Sequence, residues 1–166
     1  MEDEPEIDEF SRTFLPLVTQ AGVPTQVVDR NLPVLRRHVA GTDTAVMVAQ
    51  CVRPEKPAAG PHLFVLTRTQ LVVTYESRLW RRPRLHLRSR IEDLEAVTWR
   101  ADPAGASVDV AVTCATGRQR FWIRTLYPRQ LWRFDAALEK VFRASADAAL
   151  RRSLFPPRGT PRVVRT

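Results

Sequence analysis

Two strand-like runs, His62–Thr67 (HLFVLT) and Thr69–Glu76 (TQLVVTYE), stand almost back to back. So short a link leaves room only for a tight turn, which forces an antiparallel hairpin. Leu63 and Val65 oppose Phe64 and Leu66, and Leu71, Val73 and Tyr75 oppose Val72, Thr74 and Glu76. Both strands therefore carry apolar residues on both faces, the pattern of central strands covered from two sides. The hairpin is therefore expected to lie centrally in its sheet.

Further strand patterns surround it. Val46–Val52 precedes it, with Met47, Ala49 and Cys51 on one face. The loop from Arg53 to Pro61 is proline-rich. Arg84–Arg88 alternates, which predicts Leu85 and Leu87 inward and Arg84, His86 and Arg88 in one outward row. Ile91, Leu94 and Val97 suggest a turn into a strand over Leu94–Arg100, and the run from Asp102 to Gly105 is a turn signal. Val108–Cys114 alternates, Thr116 and Gly117 mark a hairpin turn, and Phe121 and Ile123 oppose Arg120, Trp122 and Arg124. An amphipathic helix over Pro128–Arg143 follows, with Leu131, Phe134, Leu138, Val141 and Phe142 on one face and Pro128 in its first turn. The fold class expected is α+β, mainly β, with about seven bent antiparallel strands capped by a C-terminal helix.

The organisation expected is an acidic helical lead-in over residues 1–44, a strand-rich domain over 45–145, and a disordered basic tail over 146–166 that is rich in proline and arginine. In the lead-in, Ile7, Phe10, Phe14 and Val18 follow helical spacing, and Pro16 is expected to limit that helix. A second helix is expected over Leu32–Ala40, with Asn31 as its cap, Pro33 in its first turn, a stripe of Leu32, Leu35 and Val39, and Gly41 past its end. Both pieces are expected to bury their stripes on the strand layer.

Charge narrows the function classes. The first ten residues hold six acids and no base, so the rest carries 26 bases against 12 acids. A basic body with an acidic start suits a polyanionic partner, with the start as an internal competitor. Only Lys56 and Lys140 are lysines, so arginine supplies nearly all the charge. An acidic start does not suit a secretory signal, and no apolar run approaches the ~20 residues of a membrane span. Cys51 and Cys114 are far apart in sequence and read as reduced thiols, so a cytoplasmic location is expected, extending to the inner membrane face.

Catalytic signatures are missing. The histidines His38, His62 and His86 are isolated, and neither cysteine has a neighbour at metal-ligand spacing. The six glycines form no phosphate-binding loop, and no serine elbow is present. Neither an enzyme nor a cofactor is expected. The densest candidate site is an anion-binding loop and strand made of Arg78, Trp80, Arg81, Arg82, Arg84, His86 and Arg88, with Arg90 beyond it. Arginine's planar fork matches phosphate and carboxylate, and Trp80 can stack on a partner or sit at a lipid interface. A second row, Arg118, Arg120 and Arg124 with Trp122, would broaden the patch if it lies beside the first. Trp99 and Trp132 read as packing residues.

The runs HLFVLT (His62–Thr67) and QLVVTY (Gln70–Tyr75), then LHL at 85–87, IEDL at 91–94 and LWRFDAAL at 131–138, together resemble bacterial pleckstrin-homology-like domains. The resemblance spans Ala45 to Arg143. It implies a seven-stranded bent sheet whose terminal helix plugs one open end, and a binding role toward phosphoinositide headgroups, peptides or proteins. Phosphoinositide-binding relatives use basic residues around the first hairpin. Here the loop from Arg53 to Gly60 holds only Arg53 and Lys56 against Glu55, which argues against that ligand. The expected function is a non-catalytic module for a protein or peptide partner. A membrane-surface adaptor for anionic lipid is the alternative, and a nucleic-acid partner ranks third.

Overall fold

The computed structural model describes residues 7–154. Two helices, α1 (Glu9–Ala21) and α2 (Thr25–His38), precede seven strands: β1 (Ala45–Cys51), β2 (His62–Thr67), β3 (Gln70–Glu76), β4 (Pro83–Arg90), β5 (Ala96–Asp102), β6 (Ser107–Cys114) and β7 (Gly117–Arg124). The long helix α3 (Pro128–Leu154) follows. The strands form two antiparallel sheets, β1-β2-β3-β4 and β5-β6-β7. Among the described residues the sheets join by one bridge, between Val52 and Trp122, so they form an open sandwich. The class is α+β, mainly β, as the residue patterns predict.

The four-stranded sheet is buried on both faces. On one face Met47, Ala49, Phe64, Leu66, Leu71, Val73 and Leu87 meet Val108, Val110, Phe121 and Ile123 of the other sheet, and Leu131, Phe134, Leu138 and Val141 of α3. On the opposite face Val48, Leu63, Val65 and Val72 meet Phe10, Phe14 and Val18 of α1 and Val28 and Leu35 of α2. The lead-in helices are thus one of the sheet's two covers.

Both helices are longer than their prolines suggest. α1 runs through Pro16 to Ala21 and ends at Gly22, whose φ of 66° closes the last turn. Its stripe of Phe10, Phe14 and Val18 is buried, while Pro16 faces solvent, so packing outweighs the missing hydrogen bond. α2 begins at Thr25, and Pro33 lies in its interior. Asn31 is not its cap. It is buried mid-helix, donates to the Val27 carbonyl (2.8 Å) and accepts from the Thr74 hydroxyl (2.6 Å). A polar residue that looks like a cap locally is here a clamp from α2 onto β3. Helix α3 continues past 145 to Leu154, so the expected tail boundary moves; residues 155–166 lie outside the described residues.

A buried carboxylate fixes the β2–β3 turn. Asp43 accepts from the hydroxyls of Thr67 and Thr69, each at 2.6 Å, and from the Thr44 amide at 2.8 Å. Thr67 in turn accepts from the Gln70 amide (3.0 Å), and the Gln70 side chain donates to the His38 carbonyl at the end of α2 (3.2 Å).

Two outcomes are expected. Asp43→Ala strips a charged acceptor from three donors and should lower stability by about 2–4 kcal/mol in chemical denaturation. A fragment of residues 45–154 uncovers Val48, Leu63, Val65 and Val72, and should fail to give a cooperative thermal transition.

Candidate functional site

The β3–β4 hairpin ends in a six-residue link, Ser77–Arg82, before Pro83 opens β4. The Ser77 carbonyl accepts from the Arg81 amide (2.8 Å), and the Ser77 amide donates to the Arg82 carbonyl (3.3 Å). Arg81 adopts a φ of 46°, a left-handed conformation that costs a non-glycine residue about 1 kcal/mol. The tight tip leaves no layer for its apolar residues to enter. Leu79 is 90% exposed and Trp80 71% exposed. Arg78, Arg81, Arg82 and Arg84 flank them in the chain, all exposed. Arg78 lies against the β1–β2 loop: a Cβ on Gly60 would stand 3.7 Å from its Nε. That loop adds Arg53 and Lys56 to the same end of the sandwich.

Of the seven residues the sequence groups, Arg78, Trp80, Arg81, Arg82 and Arg84 come together. His86 and Arg88 do not. A β-bulge pairs Val73 with Leu87 and Thr74 with Leu85, which leaves His86 as the extra residue of β4. The bulge changes which side chains share a face. Leu85 joins the helix-side core and Leu87 the sandwich core, so the expected outward row of Arg84, His86 and Arg88 does not exist.

His86 packs into a ring cluster instead, 5.2 Å from His62, 6.1 Å from Phe121 and 6.2 Å from Tyr75 between centroids. Its Nε2 lies 3.4 Å from the Gln119 side-chain oxygen. Arg88 is farther down β4, where its Nε donates to Gln70 (3.1 Å) in the β2–β3 turn network.

The ring cluster sits under a basic lid. His62 Nδ1 lies 3.0 Å from the Gly60 carbonyl, and its ring stacks on Tyr75. Burial pushes the His62 pKa down to about 4; the charges of His86 and Arg53 act in the same direction. Burial, then the charges of Arg53 and Lys56, also lower His86. Both rings are therefore neutral at pH 7.

The second basic row lies on β7 of the three-stranded sheet. Arg120 there forms an ion pair with Asp109 of β6, and the Arg124 guanidinium stands 5.4 Å over the Trp122 ring. Trp99 packs as expected, donating to Asp135 of α3 (2.9 Å) beside Phe142. Trp132 departs from its expected packing role: it is 54% exposed on the outer side of α3. The residue missed by the charge-led reading is Leu79. Its signal was adjacency to Trp80 inside a link between two strands, where neither side chain has a sheet face to occupy.

No family model matches this chain, and no curated protein matches it. Solved structures that are similar include the crystal structure of the C-terminal domain of an unknown protein from Leishmania infantum. That likeness has a TM-score of 0.43 and 14% identity, over 71% of this chain and 96% of the other. At that score it carries no functional argument.

The two neutral histidines predict a pH dependence. In the unfolded chain His62 titrates near its ordinary 6.5, well above its folded value. Between these values the unfolded state binds more protons, so stability is full above about pH 6.5 and is lost as the pH falls toward 4. One such histidine gives a slope of at most about 1.4 kcal/mol per pH unit. Denaturation between pH 7 and 4.5 should show that loss, and His62→Phe should flatten it.

Proposed function

We propose that this chain is a non-catalytic recognition module of pleckstrin-homology-like architecture that docks on anionic membrane surfaces through its β3–β4 hairpin. The order of four strands, three strands and a closing helix supports that architecture. The observation that carries the docking reading is the exposed Leu79–Trp80 pair in the β3–β4 link, flanked in sequence by four exposed arginines. Tryptophan and leucine suit the boundary between headgroups and acyl chains, and basic residues near an anionic surface contribute about 1 kcal/mol each. The location that goes with this reading is the cytoplasm, at the inner face of the membrane. Among the described residues no helix is long and apolar enough to cross a membrane, so the contact proposed is peripheral.

A peptide or protein partner is the second reading. It is favoured by a groove of about 270 Å³ between the end of β1, β7 and the start of α3. Cys51, Trp122, Leu126 and Phe134 line it, and Trp122 and Leu126 are exposed there. A nucleic-acid partner ranks below both, because Arg120 of the second arginine–tryptophan row is already paired with Asp109.

Co-sedimentation with liposomes tests the hairpin. Binding to vesicles of neutral lipid plus phosphatidylserine should exceed binding to neutral vesicles and weaken as salt rises. Replacing Arg81, Arg82 and Arg84 by Ser should cost about a hundredfold in affinity, from three contributions of ~1 kcal/mol. Leu79→Ser with Trp80→Ser should cost at least tenfold. Equal binding to both kinds of vesicle, or no binding to either at low salt, rejects the membrane reading.

A further inference from the structure

A concavity lies at the opposite end of the sandwich from the hairpin tip. It encloses about 420 Å³, within the ~300–1,000 Å³ range of small-ligand pockets. Four parts of the chain form it: the start of β1, the β2–β3 turn, the segment from Arg90 to Glu92, and α3. It is open because α3 stops filling space there. The buried stripe of α3 runs Leu131, Phe134, Leu138, Val141, and the next positions on that face are Ala144 and Ser145. Val46 also faces this gap. It is the unpaired residue of a β-bulge, between Ala45 opposite Thr67 and Met47 opposite Leu66, which aims it at the pocket instead of the pairing strand. The floor is therefore apolar, made by Val46, Ile91, Val141 and Ala144.

The rim is cationic. Arg68 and Lys140 stand on opposite sides, and neither belongs to an ion pair among the described residues. The rim's carboxylate, Glu92, is paired with Arg90 at 2.8 Å. The net balance is thus positive. The Arg68 backbone is held in place, because its amide donates to the Thr44 carbonyl (3.0 Å). Its neighbour Thr69 is tied to buried Asp43 through its hydroxyl, and its carbonyl accepts from the Ile91 amide (2.9 Å). A fixed turn holds one cation over an apolar floor, opposite a second cation on a helix.

We infer that this pocket binds a small amphipathic anion, a carboxylate or phosphate on a short apolar body, with Arg68 and Lys140 at the head and Val46, Ile91, Val141 and Ala144 along the body. Arginine and lysine attract the head, and the floor gains from covering the body. The pocket shares no residue with the hairpin tip.

Calorimetric titration of the full chain tests this with octanoate, octyl phosphate and uncharged 1-octanol. Octanoate or octyl phosphate should bind saturably at one site, and the better of the two identifies the head as carboxylate or phosphate. Octanol should bind at least tenfold more weakly. Arg68→Ser with Lys140→Ser changes two rim side chains and should remove that discrimination. Ala144→Leu, on an exposed turn of α3, should fill the floor and weaken every ligand at least tenfold. The variant Leu79→Ser with Trp80→Ser should bind octanoate or octyl phosphate as the parent does, so a failed membrane assay leaves this result standing. No saturable binding of either anion, or binding unchanged in both the rim variant and Ala144→Leu, overturns the inference.

Discussion

The whole arrangement depends on one sheet that is apolar on both faces. β2 and β3 put Phe64, Leu66, Leu71 and Val73 on one side and Leu63, Val65 and Val72 on the other, so neither face can meet water. One face takes the second sheet and α3, and the other takes α1 and α2. The layers are helix pair, sheet, sheet with helix, around two cores that share the same four strands. Damage to either cover exposes side chains of the common sheet. That couples the N-terminal helices to a strand domain that a boundary at residue 45 would have left on its own.

The residue patterns disclosed most of this framework. Strict alternation located β6 and β7, and the doubly apolar hairpin located β2 and β3 and their central position. The misreadings have local causes. At Pro16 and Pro33 the intrinsic cost of proline was outweighed by burial of Phe14 and Leu35 on the sheet. Asn31 has the side chain of a cap, yet its partner is Thr74, 43 residues away, which no local pattern reveals. At the candidate site, parity failed because of the single extra residue at His86. Alternation assumes an unbroken pleat, and one bulge reverses every assignment beyond it. The exposed tip was legible as its arginines and Trp80, while Leu79 was missed, because it looks like core until the link around it is known to be tight.

The two ends of the sandwich have different chemistry. One exposes Leu79 and Trp80 among arginines that neighbour them in the chain, near rings that burial keeps neutral. The other is concave, with cations at the rim and aliphatic side chains beneath. Bulges shape both, at His86 on one side and Val46 on the other. The extra residue leaves the regular ladder in each case, His86 to join the ring cluster and Val46 to line the pocket.

The end of α1 is joined to the start of α3. The Gln20 carbonyl accepts from the Tyr127 hydroxyl (3.2 Å) and from the Gln130 side chain (3.4 Å), while Gln130 also accepts from the Leu126 amide (2.6 Å). These partners are separated by more than a hundred residues. The local bonds at Gly22 finish the last turn of α1, but the two that the Gln20 carbonyl accepts can form only after all seven strands have been made. That stitch closes a loop of more than a hundred residues, so it ties the N-terminal cover of the sheet to the C-terminal one at the cost of a long loop closure.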